Sequence, residues 1–241
     1  MSMGQPTSEK TWTPLSHRER RVLGVLIEKQ KTTPDVYPLT VNALVAGCNQ
    51  KSNRDPVTNY DEEDVEEALH SLRSKGAVAQ YEGTGRVVRW KHNLYDWLDL
   101  RNKPAEMAVI AELLLRGAQT EGDLRARASR MDPIPDLSAL QVVLEDLVKR
   151  GLVVYLSPPG QRRGVVVTHG LYPPEELERV KAAHARSMAA ADDASVAAGP
   201  SQVQGRGGSE VEALRAEVEA LRGEVRALAA EVRELKSALG A

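Results

Sequence analysis

The residues best suited to touching a ligand form one short run, Gln50-Lys51-Ser52-Asn53-Arg54. It sets two cations beside amide and hydroxyl donors, the mixture that contacts phosphate oxygens or base edges. The same run also reads as a structural loop capped by its own side chains. Arg86, Arg89 and Lys91 add cations to a first predicted hairpin, and Arg162 and Arg163 to the tip of a second. Catalytic chemistry has no comparable candidate. The histidines are His17, His70, His92, His169 and His184, and none stands at metal-ligand spacing from another histidine or from the single cysteine, Cys48. Gly83-Thr84-Gly85 sits at a hairpin tip with no helix behind it, unlike a phosphate-binding loop. The expectation is a binding protein without enzymatic activity, cofactor or metal.

The elements that must position these residues are written twice. Val65-x-x-x-Leu69-x-x-Leu72-x-x-x-Gly76-x-Val78 returns 75 residues later as Leu140-x-x-x-Leu144-x-x-Leu147-x-x-x-Gly151-x-Val153. Each copy predicts an amphipathic helix, a glycine C-cap and a short hairpin. Ahead of the first copy, Leu15 staples and Ser16 with Glu19 caps a helix whose face is Val22, Leu23, Leu26 and Ile27. Thr33-Pro34 ends it. Leu39 and Thr40 open a second helix, and a third runs from about Asp61 to Lys75. Strands are predicted at Val78–Tyr81 and Val87–Trp90.

In the second copy, Met107, Ile110, Leu113 and Leu114 line the first helix, offset by 87 from its counterpart. Thr120 and Asp123 cap the second helix. The third spans about Pro135 to Arg150, with strands at Leu152–Leu156 and Val165–His169. The fall in offset predicts about 12 extra residues between helices two and three of the first copy, including the Gln50–Pro56 loop. Such additions often carry function.

A helix is predicted near Glu175 to Ala191, then a small-residue stretch at 192–208. A heptad follows, with Val211, Val218, Val225, Val232 and Leu239 at a, and Leu214, Leu221, Leu228 and Leu235 at d. β-Branched residues at a with leucine at d favour a parallel dimer. Glu210, Glu217, Glu224 and Glu231 at g face Arg215, Arg222, Ala229 and Lys236 at e in such a pair.

The expected fold class is therefore mainly α with small β-hairpins: two tandem winged-helix domains followed by a C-terminal coiled coil. The boundaries are a disordered 1–14, domains at 15–100 and 101–172, a helix at 173–191, a flexible linker at 192–208 and the coil at 209–241. One cysteine excludes an internal disulfide and suits a cytoplasmic location. The net charge of -2 supplies no general attraction to nucleic acid or anionic membrane, and no apolar run is long enough for a membrane span.

The first expectation is a DNA-binding, transcription-related regulator that acts as a dimer and contacts phosphate through Lys51, Arg54 and the hairpin arginines; the alternative is an adaptor that docks a basic protein partner on the acidic third helix of the first domain. Cations on the hairpins and the 50–54 loop favour DNA. Asp61, Glu62, Glu63, Asp64, Glu66 and Glu67 oppose it, since six carboxylates in seven residues repel phosphate. They would instead offer a docking face to a basic partner, or merely favour a helix N-terminus. Arg125, Arg127 and Arg130 add charge to the second copy's second helix.

The stretch LSHRERRVLGVLIEKQKTTPDVYPLTVNALVAGCNQKSNRDPV and the later RGAQTEGDLRARASRM resemble the YceH-like family of bacterial proteins of unknown function. The resemblance covers about residues 15–180. It implies tandem winged-helix domains in a cytoplasmic protein and supplies no substrate. DNA binding inferred for the family would rest on fold alone.

Overall fold

Ser16 starts the first helix as the spacing predicts, accepting the Glu19 N–H while the Glu19 carboxylate takes the Ser16 N–H at 2.6 Å. The structure, a computed structural model, describes residues 12–81, 87–161 and 163–197, with side chains as far as residue 190. Trp12 is already buried, so the predicted disorder of 1–14 stops short of it. The order is α1 (His17–Thr32), α2 (Val41–Cys48), α3 (Glu62–Ser74), β1 (Val78–Tyr81), β2 (Arg89–His92), α4 (Leu94–Trp97), α5 (Pro104–Arg116), β3 (Gln119–Thr120), α6 (Glu121–Ala128), α7 (Leu137–Lys149), β4 (Val153–Tyr155), β5 (Val166–His169) and α8 (Pro174–Ala197). The fold is mixed α+β with small antiparallel sheets.

The two halves repeat one arrangement. Their first helices begin at His17 and Pro104, their second at Val41 and Glu121, their third at Glu62 and Leu137. The offsets are thus 87, 80 and 75. The extra residues therefore do not all lie between helices two and three. Part of the insertion falls earlier, in a longer α1 and a 3₁₀ turn at Pro34–Val36. Gly76 and Gly151, at φ +76° and +69°, close α3 and α7, and the next residues donate back to Leu72 and Leu147.

Each half also holds, before its second helix, a backbone pairing too short to leave an alternating pattern: an isolated bridge in the first and a two-residue strand in the second. Leu39, just before the α2 cap, exchanges two backbone hydrogen bonds with Trp90 at 3.0 and 2.7 Å. Gln119 and Thr120, just before α6, pair with Val167 and Val166. The second sheet has the order β3-β5-β4. The hairpin β1–β2 is displaced from the predicted span, with Val78 opposite His92 and Tyr81 opposite Arg89. Trp90 and His92 face inward, whereas Val87 and Val88 are exposed. Burial of the large rings, not the valine pair, selects the paired segment. In the second hairpin β4 lies one residue inside both predicted ends, and β5 starts one residue late but ends at His169 as predicted.

The described residues up to Ala185 form one compact unit containing both halves, and a second begins at Arg186. At the centre of the first unit α1 and α5 pack together. Every residue from Glu19 to Glu28 and from Met107 to Leu115 is buried. A helix buried all round has neighbours on every side, so the single apolar faces predicted for these helices are only half of what they bury. Gly24 permits the approach: a Cβ there would lie 3.0 Å from the Leu115 side chain. The last described helix, α8, continues to Ala197, six residues beyond its predicted end at Ala191. The coil at 209–241, with Val211, Leu214, Val218, Leu221, Val225, Leu228, Val232, Leu235 and Leu239, lies outside the described residues.

Candidate functional site

The 49–60 segment is tied down by its own polar side chains. Asn49 donates to Tyr60 O at 2.7 Å and accepts the Tyr60 N–H at 2.8 Å. Asn53 takes a left-handed backbone, φ 56°, which asparagine tolerates. That turn sends Arg54 inward, where its side chain has no exposure. Its Nε donates to Gly47 O at 2.9 Å, Nη1 to Asn53 O at 2.9 Å, and Nη2 to Glu28 Oε2 at 2.6 Å and Gln50 Oε1 at 2.9 Å.

The network crosses to the second half. Asn53 Nδ2 lies 3.2 Å from Glu28 Oε1 and 3.3 Å from Glu112 Oε2. Arg130, just beyond α6, reaches Glu112 at 3.2 Å and Glu28 at 3.5 Å. The Asp55 N–H donates to Leu115 O at 3.1 Å, and Arg21 Nη2 to Pro56 O at 2.6 Å. The inserted loop is thus a brace between halves. Burial works to push the Glu28 carboxyl up, but Arg54 outweighs it and holds it below its ordinary value. Burial does push Glu112 up, because Asn53 and Arg130 offset it only partly. The two buried carboxylates have opposite charge tendencies, set by how completely each is paired.

This placement corrects the expectation for the loop. Arg54 is no surface cation, and Gln50 and Asn53 direct side-chain groups into the brace. Only Lys51 and Ser52 of the run are exposed. Arg89 and Lys91 are exposed on β2, although Arg89 also donates to Pro38 O at 2.9 Å. Arg163 is exposed, while Arg86 and Arg162 lie outside the described residues. Arg125 donates to Ile134 O and Arg127 to Gln119 Oε1, which secures local structure, while Arg130 belongs to the brace. Among the described residues, Arg54 is therefore withdrawn from any surface that Lys51, Arg89, Lys91 and Arg163 could offer. Glu28 and Glu112 were missed, although Glu112 had a signal: a lone carboxylate inside the apolar run Ala108–Leu115 requires polar partners.

The third helices present other chemistry. Asp61 and Asp64 form a reciprocal cap on α3, and Arg18 pairs with Asp64 at 2.8 Å and Glu67 at 2.9 Å. Glu62, Glu63 and Glu66 remain exposed. On α7, Gln141 and Glu145 are exposed beside Leu137 and Val142, the latter 70% exposed. Among the described residues, no three of His, Cys, Asp and Glu cluster for a metal. Burial pushes the Cys48 thiol up to about 12, which makes it a poor nucleophile. Burial also pulls His92 down to about 4, so it sits neutral beside Gln30 at 2.6 Å. No described helix is long and apolar enough to cross a membrane.

Comparison with known proteins agrees with the stretch that carried the resemblance. A family model described as "Protein of unknown function, DUF480" matches residues 15–161. A UPF0502 protein of Rhodopirellula baltica is 48% identical over 180 residues, covering 73% of this chain and 74% of the relative. One from Geotalea daltonii is 53% identical over 148 residues, 61% and 66% of the two chains. One from Shewanella piezotolerans is 42% identical over 170 residues, 68% and 77%. The family match spans both halves from the α1 cap to the second hairpin, including the brace between them, and the chain therefore belongs to the DUF480 (UPF0502) family of bacterial proteins.

Proposed function

We propose that the protein is a non-enzymatic, cytoplasmic adaptor made of two fused winged-helix modules, binding other proteins through its third helices and hairpins. The order helix, helix, helix, hairpin in each half, with a residue before the second helix pairing to the hairpin, supports the winged-helix reading. The observation carrying the adaptor reading is the outer surface of α3 and α7. It offers carboxylates and apolar side chains where a groove-reading helix needs donors and cations. DNA binding stands as the second reading, favoured by the first hairpin, where Tyr81, Val87 and Val88 are exposed beside Arg89 and Lys91.

Fluorescence anisotropy with a generic duplex separates the two. The adaptor shows no salt-sensitive binding at tens of micromolar in low salt. Affinity that falls steeply with salt and weakens in Lys51→Ala/Arg89→Ala would replace it with the DNA reading. In-cell photo-crosslinking from positions 66 and 142 is expected to trap protein; trapping of nucleic acid alone counts against the adaptor.

The heptad at 209–241 supports a parallel homodimer. Deleting it is expected to turn a dimer into a monomer in sedimentation equilibrium. An unchanged dimer would remove the coil from that role.

A further inference from the structure

We propose that the groove between α7 and the loop joining β4 to β5 binds a lysine- or arginine-bearing segment of a partner protein. This rests on the adaptor reading and names its site. The groove has a volume of about 520 Å³ and is lined by Gln141, Tyr155, Pro158, Pro159 and Val165, with the Glu121 carboxylate among them. Glu121 is only 8% exposed, and its Oε1 accepts from the Tyr155 hydroxyl at 3.3 Å. No described cation forms an ion pair with it. A largely buried carboxylate with only a neutral donor is a favourable place for an incoming cation, because charge-assisted hydrogen bonds strengthen away from bulk water.

On the α7 side the nearby charge has the same sign, whereas Arg163, exposed on the loop, carries the opposite one. Besides burial, the charges of Glu121 and Glu145 both push the Tyr155 hydroxyl up, so their negative potential reaches the groove. Tyr155 and the two prolines supply apolar surface for the stem of a lysine or arginine, and Val142 and Leu137 extend it along α7. The described residues of the loop are tied to one another and to β5. Gln161 Nε2 donates to Arg163 O at 2.8 Å and Gly164 O at 3.1 Å, and Val166 N donates to Ser157 Oγ at 2.9 Å. A preformed wall lowers the ordering cost of binding.

The test uses the full chain and three pools of fluorescein-labelled ten-residue peptides, randomised except for a central Lys, Ala or Glu. The Lys pool is expected to bind about tenfold more tightly than the Glu pool, as one charge-assisted hydrogen bond implies. Glu121→Gln should remove that preference. Gln141→Arg, at an exposed position that leaves Glu121 intact, should reverse it. Equal affinity for the Lys and Glu pools, or a Lys preference unchanged in both variants, overturns the groove assignment. Protein crosslinks from position 66 that persist after such a failure leave the adaptor standing with its docking site on α3; loss of both ends the adaptor reading itself.

Discussion

Arg54→Ala is expected to destabilise the two-repeat unit by about 3–5 kcal/mol, the effect of removing one partner from a buried ion pair. The substitution strands the Glu28 carboxylate, leaves Gly47 O without its donor, and frees the Asn53–Arg54 turn that joins α1 to α5. Lys51→Ala, three residues away and exposed, should stay within about 0.5 kcal/mol of the parent. Acid closes the gap. Glu28 has a folded pKa below its ordinary 4.5, so the pair's contribution is complete above that value and is lost as pH falls through the folded one. Urea unfolding followed by circular dichroism at neutral pH and near pH 3 reads both effects. Coincident midpoints for Arg54→Ala and the parent at neutral pH would mean that the brace does not hold the halves together.

Gly170→Ala is expected to cost about 3 kcal/mol, the upper end of ordinary overpacking. Gly170 N donates to Leu152 O at 2.7 Å, which brings the end of β5 against the turn after α7. A Cβ there would overlap Gly151 O and lie 3.0 Å from the Gly151 carbonyl carbon. Backbone must move, since no side chain can yield. The first half makes the same bond from Asn93 to Ala77 at 2.8 Å with a side chain in place, so the close approach belongs to the second half alone. Asn93→Ala forfeits chiefly its hydrogen bond to Gly76 O, worth about 1 kcal/mol. For a unit of this size about 3 kcal/mol lowers Tm by roughly 6–12 °C. A thermal melt in which Gly170→Ala falls no further than Asn93→Ala would show that the turn has room to relax.

Much of the architecture was legible because it is local. The capping pair Ser16 and Glu19, the Thr33-Pro34 stop and the glycines after α3 and α7 act within a turn of their own positions. Leucines at 69 and 72, and at 144 and 147, mark the buried faces by spacing alone. The displaced β2 shows where that local reading fails. Val87 and Val88 have high strand propensity, yet the pairing follows Trp90 and His92, whose burial depends on α1 and α3. The single-residue bridge at Leu39 and the two-residue strand at Gln119 offered no alternation to detect.

The loop at 50–54 marks the division most clearly. Its residue types established that it would make polar contacts, and the repeat established that it was an addition to the first half. Neither could say toward which side Arg54 turns. That was decided by the left-handed Asn53 and by two carboxylates, Glu28 26 residues from Arg54 and Glu112 59 residues from Asn53, whose burial would be costly without a donor between them. Periodicity and capping operate over a few residues and are written along the chain. The partner of a buried charge is chosen by packing, and only the folded arrangement of α1 against α5 brought these groups within reach.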